Sequence, residues 1–573
     1  MKNYELIVYP LVFLWLFLLS LQGLDFTDTG FIISAANLFF EDQETILNQL
    51  SSIYFTLFLS SLFGEILPFG IYNYKLAYIV VVLITIIYSV KLIKVVFPDD
   101  GKIPILVFFI PSVVVLTYDL QGDLNFIHYN NLSLLFYVII TYTYAKGLIQ
   151  GNSKYLISGG LFLFIAILTR LPNVLFLLPF SFILIFYPKK LLNTGYVVSG
   201  FLLGITGFIL FLQIFGFSEY FFGGFQRFLE RQSPSSSYST ANILLPYFYH
   251  LLYQLKVASL LLLALLPFVL AVFLIYKLQT NKVLSGISAL GLGVLYYATV
   301  VFIWPSMRNI LNIPSPWVTP YMVPVILLLI LICWCLIRKN IHYETAIFTI
   351  TTILALYFIL PAGSNRSFLN YKYSLFLIFP TLGTLSYFSF SQKRNYAQAA
   401  NILFFTSVIL YGAVGTYSNT FRDVNDRAVL FHTVRNQKVW PIMTSSERAK
   451  VVEELLTEAP AFLLRGEKIV TFDKIPMAYY LLETKPYLKT TAPIYLPHAI
   501  FKAELENFSK DVPPVLLPKS RTENIWPYDI HQGLYMDSRV KNRNYLLKLI
   551  TENNYEIVWQ NDFFKLLKRV KLP

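Results

Sequence analysis

Two carboxylates follow directly on the first long apolar run of the chain, in the segment Asp25-Phe26-Thr27-Asp28-Thr29-Gly30. A carboxylate in such a place can accept the proton of a hydroxyl group or hold a cation. Aspartate and threonine are also common at helix starts, where their side-chain oxygens accept hydrogen bonds from free backbone amides. Both interpretations fit the residue types. Asp25 and Asp28 are therefore the candidate catalytic residues, with helix capping as the alternative.

A second acidic segment lies between two later apolar runs and is followed by a histidine. It contains Asp119 and Asp123, and His128 comes shortly after them. Carboxylate and imidazole groups suit a divalent cation, so the candidate metal ligands are Asp28, Asp119, Asp123 and His128. The two aspartates are equally suited to holding an acceptor hydroxyl. The alternative is a solvated loop with a capping asparagine before the next helix, which we favour for His128 taken alone.

Six basic residues lie between apolar runs on the face that we predict below to be the outer one. They are Arg170, Arg227, Arg231, Arg308, Arg366 and Lys372. Arginine binds phosphate with two parallel hydrogen bonds, and lysine acts as a point charge. The set therefore predicts a phosphate site, with Gly363-Ser364-Asn365 beside Arg366 offering backbone amides to it. The alternatives are anionic lipid head groups or pairing with outer carboxylates, and we expect at least two of the six residues to be structural.

The composition describes a membrane protein with many spans. Of 573 residues, 56% are hydrophobic and 13% charged, and the mean hydropathy is +0.59. Soluble domains carry roughly a quarter charged residues. The formal net charge is +13, but the basic residues stand singly or in pairs between apolar runs, which disfavours nucleic-acid binding. Cys333 and Cys335 share one apolar segment and indicate neither a disulfide framework nor a metal site.

The charged residues divide the chain into two domains. About 9% of residues 1–417 are charged, compared with about 26% of residues 418–573, and the second fraction is that of an ordinary soluble domain. We predict a membrane domain over 1–417 and a soluble domain over 418–573. In the second domain, strand patterns at 468–472, 512–517 and 556–560 alternate with helix patterns at 477–482 and 544–552. This order predicts a small α/β domain. It contains no glycine-rich phosphate loop, so we assign it no nucleotide.

Thirteen apolar runs are candidates for transmembrane helices, each needing roughly 20 residues to cross the hydrocarbon layer. They cover approximately 6–24, 73–92, 103–118, 131–147, 155–169, 173–188, 195–216, 246–276, 283–304, 317–337, 345–361, 371–390 and 397–417. The first run lacks a small-residue cleavage site before Asp25, so we expect a retained helix and not a signal peptide. The fifth and sixth runs are short and meet at a predicted tight turn, 169–173.

Lysine and arginine predict the orientation, because they concentrate in cytoplasmic loops. With the N-terminus inside, 14 of the 22 basic residues of the membrane domain fall in inner loops, and ten of its 14 acidic residues fall outside. Thirteen crossings then place the C-terminal domain on the outer face. Within the first outer loop, 31–40 and 46–63 are candidates for interfacial helices, apolar side down. The outer loop 217–245 is long and contains a polar run at 232–237.

These features together resemble the GT-C superfamily of membrane glycosyltransferases. The resemblance is carried by the retained first helix, the acidic motif after it, interfacial helices, about 13 spans and an outer C-terminal domain. It is similar in layout to the bacterial branch related to protein O-mannosyltransferases and lipid A aminoarabinose transferase. The acidic motif of this superfamily corresponds to Asp25 and Asp28, which are separated here by two residues. Its second-loop acid corresponds to Asp119 or Asp123.

The resemblance implies an inverting transfer of one sugar from a polyprenyl-phosphate donor to a hydroxyl acceptor at the outer face of the membrane. The acceptor would be a lipid, glycan or protein, and the partners are the lipid-linked sugar and membrane lipid. The expected location is the bacterial inner membrane, with the site on the periplasmic side. Family members differ in whether they use a divalent metal cation, so this remains open. The rival functions are a flippase or transporter of lipid-linked glycans and a polymerase or ligase of lipid-linked oligosaccharides.

Overall fold

The computed structural model is mainly helical, with a smaller α/β region at the C-terminal end. It describes residues 3–66, 69–98, 103–117, 126–230, 240–278, 282–310, 322–361, 371–389, 394–418, 420, 422–424, 426–519 and 536–569. The helical domain has one large core of buried apolar side chains, and part of the C-terminal domain packs onto that core. A second core lies within the C-terminal domain itself.

The described residues of the membrane domain form sixteen α-helices. In chain order they are α1 (Asn3–Ser20), α2 (Asp28–Asn37), α3 (Leu47–Ile66), α4 (Ile71–Val96), α5 (Phe109–Thr117), α6 (Tyr129–Gln150), α7 (Ser153–Thr169), α8 (Leu177–Phe186), α9 (Lys190–Ile214), α10 (Ser218–Glu230), α11 (Thr240–Leu278), α12 (Lys282–Ile310), α13 (Met322–Ile337), α14 (Tyr343–Ile359), α15 (Lys372–Ser389) and α16 (Arg394–Ser418). Short 3₁₀ helices at Gln43–Ile46, Ile105–Phe108 and Leu171–Phe176 precede α3, α5 and α8.

Each of the thirteen predicted spans overlaps one of these helices. Six helical segments among the described residues are long and apolar enough to cross a membrane: Gln43–Ile66, Ile71–Val96, Tyr129–Gln150, Lys190–Ile214, Leu251–Ile275 and Gln398–Ser418. The other apolar helices are shorter, with 10–17 residues. A many-span helical protein is therefore confirmed, whereas the number of crossings stays a prediction.

The two segments predicted to be interfacial helices are both helical, but their surroundings differ from the expectation. Ile32 and Ile33 of α2 are completely buried, because this helix packs against both α3 and the helix Met477–Leu481 of the C-terminal domain. The 3₁₀ turn and α3 together have the length and composition of a span. The predicted loop 217–245 contains α10, whose Phe222, Phe225 and Leu229 are 60%, 39% and 56% exposed. An exposed apolar stripe on an otherwise polar helix is typical of an interfacial helix.

The C-terminal domain has the α/β character that the sequence predicts. Its helices are α17 (Ser446–Thr457), α18 (Met477–Leu481), α19 (His498–Glu504), α20 (Phe508–Asp511) and α21 (Met536–Glu552). Its strands are β1 (His432–Thr433), β2 (Met443–Thr444), β3 (Lys468–Thr471), β4 (Lys485–Pro486), β5 (Val515–Pro518), β6 (Tyr555–Gln560) and β7 (Phe564–Arg569). Strands β4-β3-β5-β7-β6 form one sheet, in which β3 pairs parallel with β4 and β5, and β7 pairs antiparallel with β5 and β6. Strands β1 and β2 form a separate antiparallel pair.

Polar contacts dock the C-terminal domain onto the loop between α1 and α4. Lys485 pairs with Asp42 at 2.8 Å, and Lys489 pairs with Glu44 at 3.2 Å. The Glu504 carboxylate accepts hydrogen bonds from Asn48 at 2.8 Å and from Arg227 of α10 at 2.6 Å. The first loop is thus held between the helical domain and the C-terminal domain.

Close approach of the domains also depends on Gly30, the last residue of the acidic motif. A Cβ atom at this position would overlap the backbone of Met477 at the start of α18. The amide of Met477 donates to the carbonyl of Phe26 at 3.1 Å, and the Phe26 ring lies 5.6 Å from that of Phe564 in β7. The glycine therefore serves domain packing and not chemistry.

Helices α7 and α9 cross through glycines at their contact. A Cβ atom at Gly200 would overlap the carbonyl group of Ile157, and one at Gly160 would overlap that of Val197. Small residues at helix crossings let backbones approach closely and gain van der Waals contact. Gly195, five residues earlier in α9, has open space where its Cβ would be.

We expect Gly200→Ala to destabilise the protein and Gly195→Ala to leave it unchanged or slightly more stable. At Gly200 the added methyl group must push two helices apart, which costs about 1–3 kcal/mol. At Gly195 the same change brings only the better helix propensity of alanine, about 1 kcal/mol at most. Thermal unfolding in detergent micelles measures both variants. Equal shifts of the two melting temperatures would contradict the close crossing.

Candidate active site

Asp25 organises the turn that leads from α1 into α2. Its Oδ1 accepts hydrogen bonds from the amide of Thr27 at 2.8 Å and from the Thr27 hydroxyl at 2.6 Å, and its Oδ2 accepts one from the amide of Thr29 at 2.7 Å. The residue is only 5% exposed. Burial raises the pKa of Asp25 above its ordinary value, and the charge of Arg422 opposes that rise. Asp25 thus has the role of a turn-forming residue.

Asp28, the first residue of α2, is the accessible carboxylate of the motif. Its side chain is 35% exposed, and its Oδ1 accepts a hydrogen bond from Nη1 of Arg422 at 2.9 Å. The same Nη1 donates to the hydroxyl of Thr27. A carboxylate at a helix N-terminus is stabilised by the helix dipole. Asp28 is therefore held in place by a partner from the C-terminal region while it still reaches solvent.

A buried ion pair fixes the backbone that carries Arg422. Asp423 and Arg448 meet at 2.5 Å, with side chains 0% and 1% exposed. The Asp423 carboxylate also accepts hydrogen bonds from the amide of Leu24 at 2.7 Å and from the Thr444 hydroxyl at 2.8 Å. Arg448 donates in addition to the carbonyl of Arg422 at 3.2 Å. One carboxylate thus joins the end of α1, strand β2 and helix α17 directly beside Arg422.

His128 caps the N-terminus of α6 with its side chain. Its Nδ1 accepts a hydrogen bond from the amide of Asn130 at 3.2 Å, and its own amide donates to Oδ1 of Asn131 at 3.0 Å. Burial lowers the pKa of His128 to about 3, with Arg170, Lys372 and Arg422 acting in the same direction and Asp28 against it. The ring is therefore neutral near pH 7. The sequence favoured a solvated loop with a capping asparagine here. Asn131 does take part in the cap, but the N-cap residue is His128 itself, which is buried and not solvated.

Arg170 and Lys372 are buried cations at the same end of the helical domain. Arg170 is 4% exposed, donates to the carbonyl of Leu360 at the end of α14 at 2.6 Å, and lies 5.6 Å from the ring of Tyr129. It stands in the predicted tight turn, where Asn173 bonds back to the carbonyl of Ala166 at 2.7 Å. Lys372, the first residue of α15, is 2% exposed. Buried cations of this kind need anionic or carbonyl partners.

The structure brings one carboxylate and three cations together around His128. The charges of Asp28, Arg170, Lys372 and Arg422 all act on its imidazole ring. With Asp28 as the only anion among these four groups, the surroundings of His128 carry an excess of positive charge. Such an arrangement suits an anionic ligand such as a phosphate group, with a carboxylate beside it.

Several other predicted residues do not join this group or cannot be placed in it. Arg227 lies on α10 and pairs with Glu504, so it has a docking role. Only the helical backbone of Arg308, in α12, is described. Asp119, Asp123, Arg231 and Arg366 lie outside the described residues, as does the 363–365 loop. Among the residues that the structure does describe, no group of three or more His, Cys, Asp or Glu side chains could hold a metal ion.

Arg422 is the member of the site that the sequence reasoning missed. It lies four residues after the end of α16, among the many charged residues of the predicted soluble domain, so its position in the sequence does not single it out. Its backbone φ of 50° is in the left-handed region, which is unfavourable for a non-glycine residue. No spacing rule links it to Asp28, 394 positions earlier. The one available signal was a basic residue immediately after the last span, on the same face as the aspartates.

Arg448→Met should destabilise the protein by about 3–5 kcal/mol, because it leaves the Asp423 carboxylate buried without its counter-ion. Lys450→Met on the same helix is the matched control, since Lys450 is 67% exposed and pairs with Glu454 only at 3.7 Å. We expect the control to stay within about 0.5 kcal/mol of the wild type. Thermal unfolding in detergent is the measurement. A similar melting temperature for both variants would show that the pair of Asp423 and Arg448 does not stabilise the fold.

Comparison with known proteins gives structural matches alone. No family model matches the chain, and no curated protein matches it significantly. The structure is similar to that of ArnT from Cupriavidus metallidurans bound to undecaprenyl phosphate, with 11% sequence identity, a TM-score of 0.43 and coverage of 100% of this chain and 99% of ArnT. It is equally similar to the same protein in the apo state, with 11% identity, a TM-score of 0.43 and coverage of 99% and 98%.

Proposed function

We propose that this protein is an inverting glycosyltransferase of the membrane. It moves a single sugar from a polyprenyl-phosphate donor to a hydroxyl acceptor at the outer face, which we place on the periplasmic side of a bacterial inner membrane. The observation that supports this most directly is the position of Asp28 beside Arg422. The charges of both residues act on His128, as do those of Arg170 and Lys372. A base and a set of phosphate-binding cations in one place are what this transfer needs.

Asp28 is the proposed general base. Its carboxylate accepts the proton of the acceptor hydroxyl while that oxygen attacks the anomeric carbon of the donor sugar. The new bond joins the acceptor oxygen to the anomeric carbon, and the bond from that carbon to the phosphate oxygen breaks. Because attack comes from the face opposite the leaving group, the anomeric configuration inverts. Asp28 suits this role better than Asp25, since Asp28 is partly exposed and Asp25 is engaged in three hydrogen bonds.

The cations are the proposed stabilisers of the leaving group. The electron pair of the broken bond stays on the lipid phosphate, which gains negative charge as the reaction proceeds. A lipid phosphate is already a weak base, so it needs charge neutralisation more than protonation. Arg170, Lys372 and Arg422 can supply this neutralisation. Arg170 and Lys372 are buried, so these two cations require little reorganisation.

Asp28→Asn should reduce sugar transfer by about two to four orders of magnitude, the usual contribution of a general base. The change keeps the shape of the side chain and should leave the protein folded and donor binding no weaker. We would compare envelope glycans by mass spectrometry in cells with the wild-type gene, the variant gene and no gene. The glycans of the variant should match those of the deletion.

The matched control for this experiment is Asp426→Asn, an exposed aspartate whose carboxylate accepts a hydrogen bond from the amide of Ala428 at 2.8 Å. It should leave the glycans unchanged. Wild-type glycans in cells that rely on Asp28→Asn, at equal protein level, would exclude Asp28 as the base. Mass spectrometry of the same samples identifies the donor sugar and the acceptor.

Lys372→Gln should weaken binding of a donor phosphate about tenfold, because one charged partner of the phosphate is lost. Methyl farnesyl phosphate is a suitable probe, since it is a phosphodiester with a prenyl chain, and its binding in detergent micelles can be followed by calorimetry. Lys154→Gln is the control: Lys154 is exposed at the start of α7, a helix length away from the site. Equal affinity of the Lys372 variant and the wild type would assign Lys372 a structural role.

A further inference from the structure

We infer that Arg422 is an exchangeable cation, which pairs with Asp28 and is drawn onto the phosphate of the donor when the donor binds. This inference rests on the proposed function and adds a residue to it. It makes the C-terminal domain a contributor to the active site. It also makes the base available only when the donor is present.

The geometry of the pair of Arg422 and Asp28 supports an exchange of the partner of Arg422. The side chains of Arg422 and Asp28 are 19% and 35% exposed, so the pair lies at the rim of the site, where a ligand can reach it. The backbone of Arg422 is held by the buried pair of Asp423 and Arg448, which are 0% and 1% exposed. A fixed backbone with a long side chain allows the guanidinium to turn between two anions without moving the chain.

The charges around the pair favour exchange as well. The groups that act electrostatically on Arg422 are Asp28, Asp25 and Tyr495, and those that act on the nearby His128 include Arg170 and Lys372. Although burial lowers the pKa of Arg422, Asp28 and Asp25 raise it above its ordinary value, so the residue stays charged. A phosphate attracted by Arg170 and Lys372 arrives beside this third cation and competes with Asp28 for it. Guanidinium groups bind phosphate with two parallel hydrogen bonds.

Exchange has a consequence for the chemistry. A carboxylate paired with a guanidinium holds a proton weakly and is a poor base. When Arg422 turns to the phosphate, the proton affinity of Asp28 rises, and it does so only in the complex that contains the leaving group. The same cation then stabilises the charge that develops on the phosphate.

A double-mutant cycle on binding of methyl farnesyl phosphate tests the exchange without any sugar transfer. Arg422→Gln should weaken binding about tenfold, since it removes a charged partner of the phosphate. Asp28→Asn should tighten binding about 3- to 10-fold, because the ion pair no longer has to be broken. In the Arg422→Gln background Asp28→Asn should tighten binding by a smaller factor, since only repulsion between Asp28 and the phosphate is then removed.

The sign of the coupling decides the outcome. If Arg422 bridges Asp28 and the phosphate at once, Asp28→Asn will tighten binding less in the wild type than in Arg422→Gln, and the exchange is refuted. Additive effects would refute it too, while leaving the proposed function standing on the glycan experiment. If the probe does not bind the wild type, both the exchange and the phosphate donor class fall.

Two further variants test whether the loss of any arginine, or of positive charge alone, explains weaker binding. Arg465→Gln removes one arginine of the same domain, 87% exposed and paired with Glu483 at 2.8 Å, and should leave binding unchanged. Arg422→Lys keeps the charge but cannot make the bidentate contact, so it should bind methyl farnesyl phosphate with intermediate affinity. Melting temperatures of all variants show whether a variant that binds more weakly is still folded. Wild-type affinity of Arg422→Lys would refute the bidentate contact of Arg422 with phosphate.

Discussion

The buried carboxylate of Asp423 is the constraint on which the site depends. It takes hydrogen bonds from the end of α1, from β2 and from Arg448 of α17. A buried charge is costly unless it is fully paired, so these three elements must stay together for the protein to remain folded. Arg422 is the neighbouring residue, and its position beside Asp28 follows from that requirement. The pair of Asp423 and Arg448 thus fixes the position of Arg422 beside Asp28, although neither Asp423 nor Arg448 belongs to the proposed reacting groups.

The C-terminal domain is consequently more than an appendage of the helical domain. It covers α2, contacts the start of α3 through Lys489 and Thr491, and meets α10 through Glu504. Gly30 permits the close approach of α2 to α18. Because the acidic motif lies inside this contact, a shift of the domain would move Asp28 relative to the cations of the helical domain. The geometry of the candidate site therefore depends on how the C-terminal domain is docked.

The sequence predicts the parts of this protein that depend on local pattern. Apolar runs gave helices at all thirteen predicted positions, because span length is a local property. The patterns in the C-terminal domain predicted β3, β5, β6, α18 and α21, but not β1, β2, β4, β7, α17, α19 or α20. The partners of α2 depend on tertiary contact, which is why a helix expected in the membrane interface is covered by protein. Arg422 escaped prediction for the same reason. Arg170 was found because an outer arginine departs from the usual charge distribution.

The two aspartates of the acidic motif also show what spacing leaves undecided. Asp25 and Asp28 are chemically identical, and from the sequence either suits the base. Burial and three hydrogen bonds commit Asp25 to the turn, and a displaced Asp25 would free the amides of Thr27 and Thr29. Asp28 pairs with Arg422 at the start of a helix, where its side chain is 35% exposed. Different surroundings thus divide two like carboxylates into a turn-forming residue and the proposed base, a division of the kind known for carboxylate pairs in enzymes.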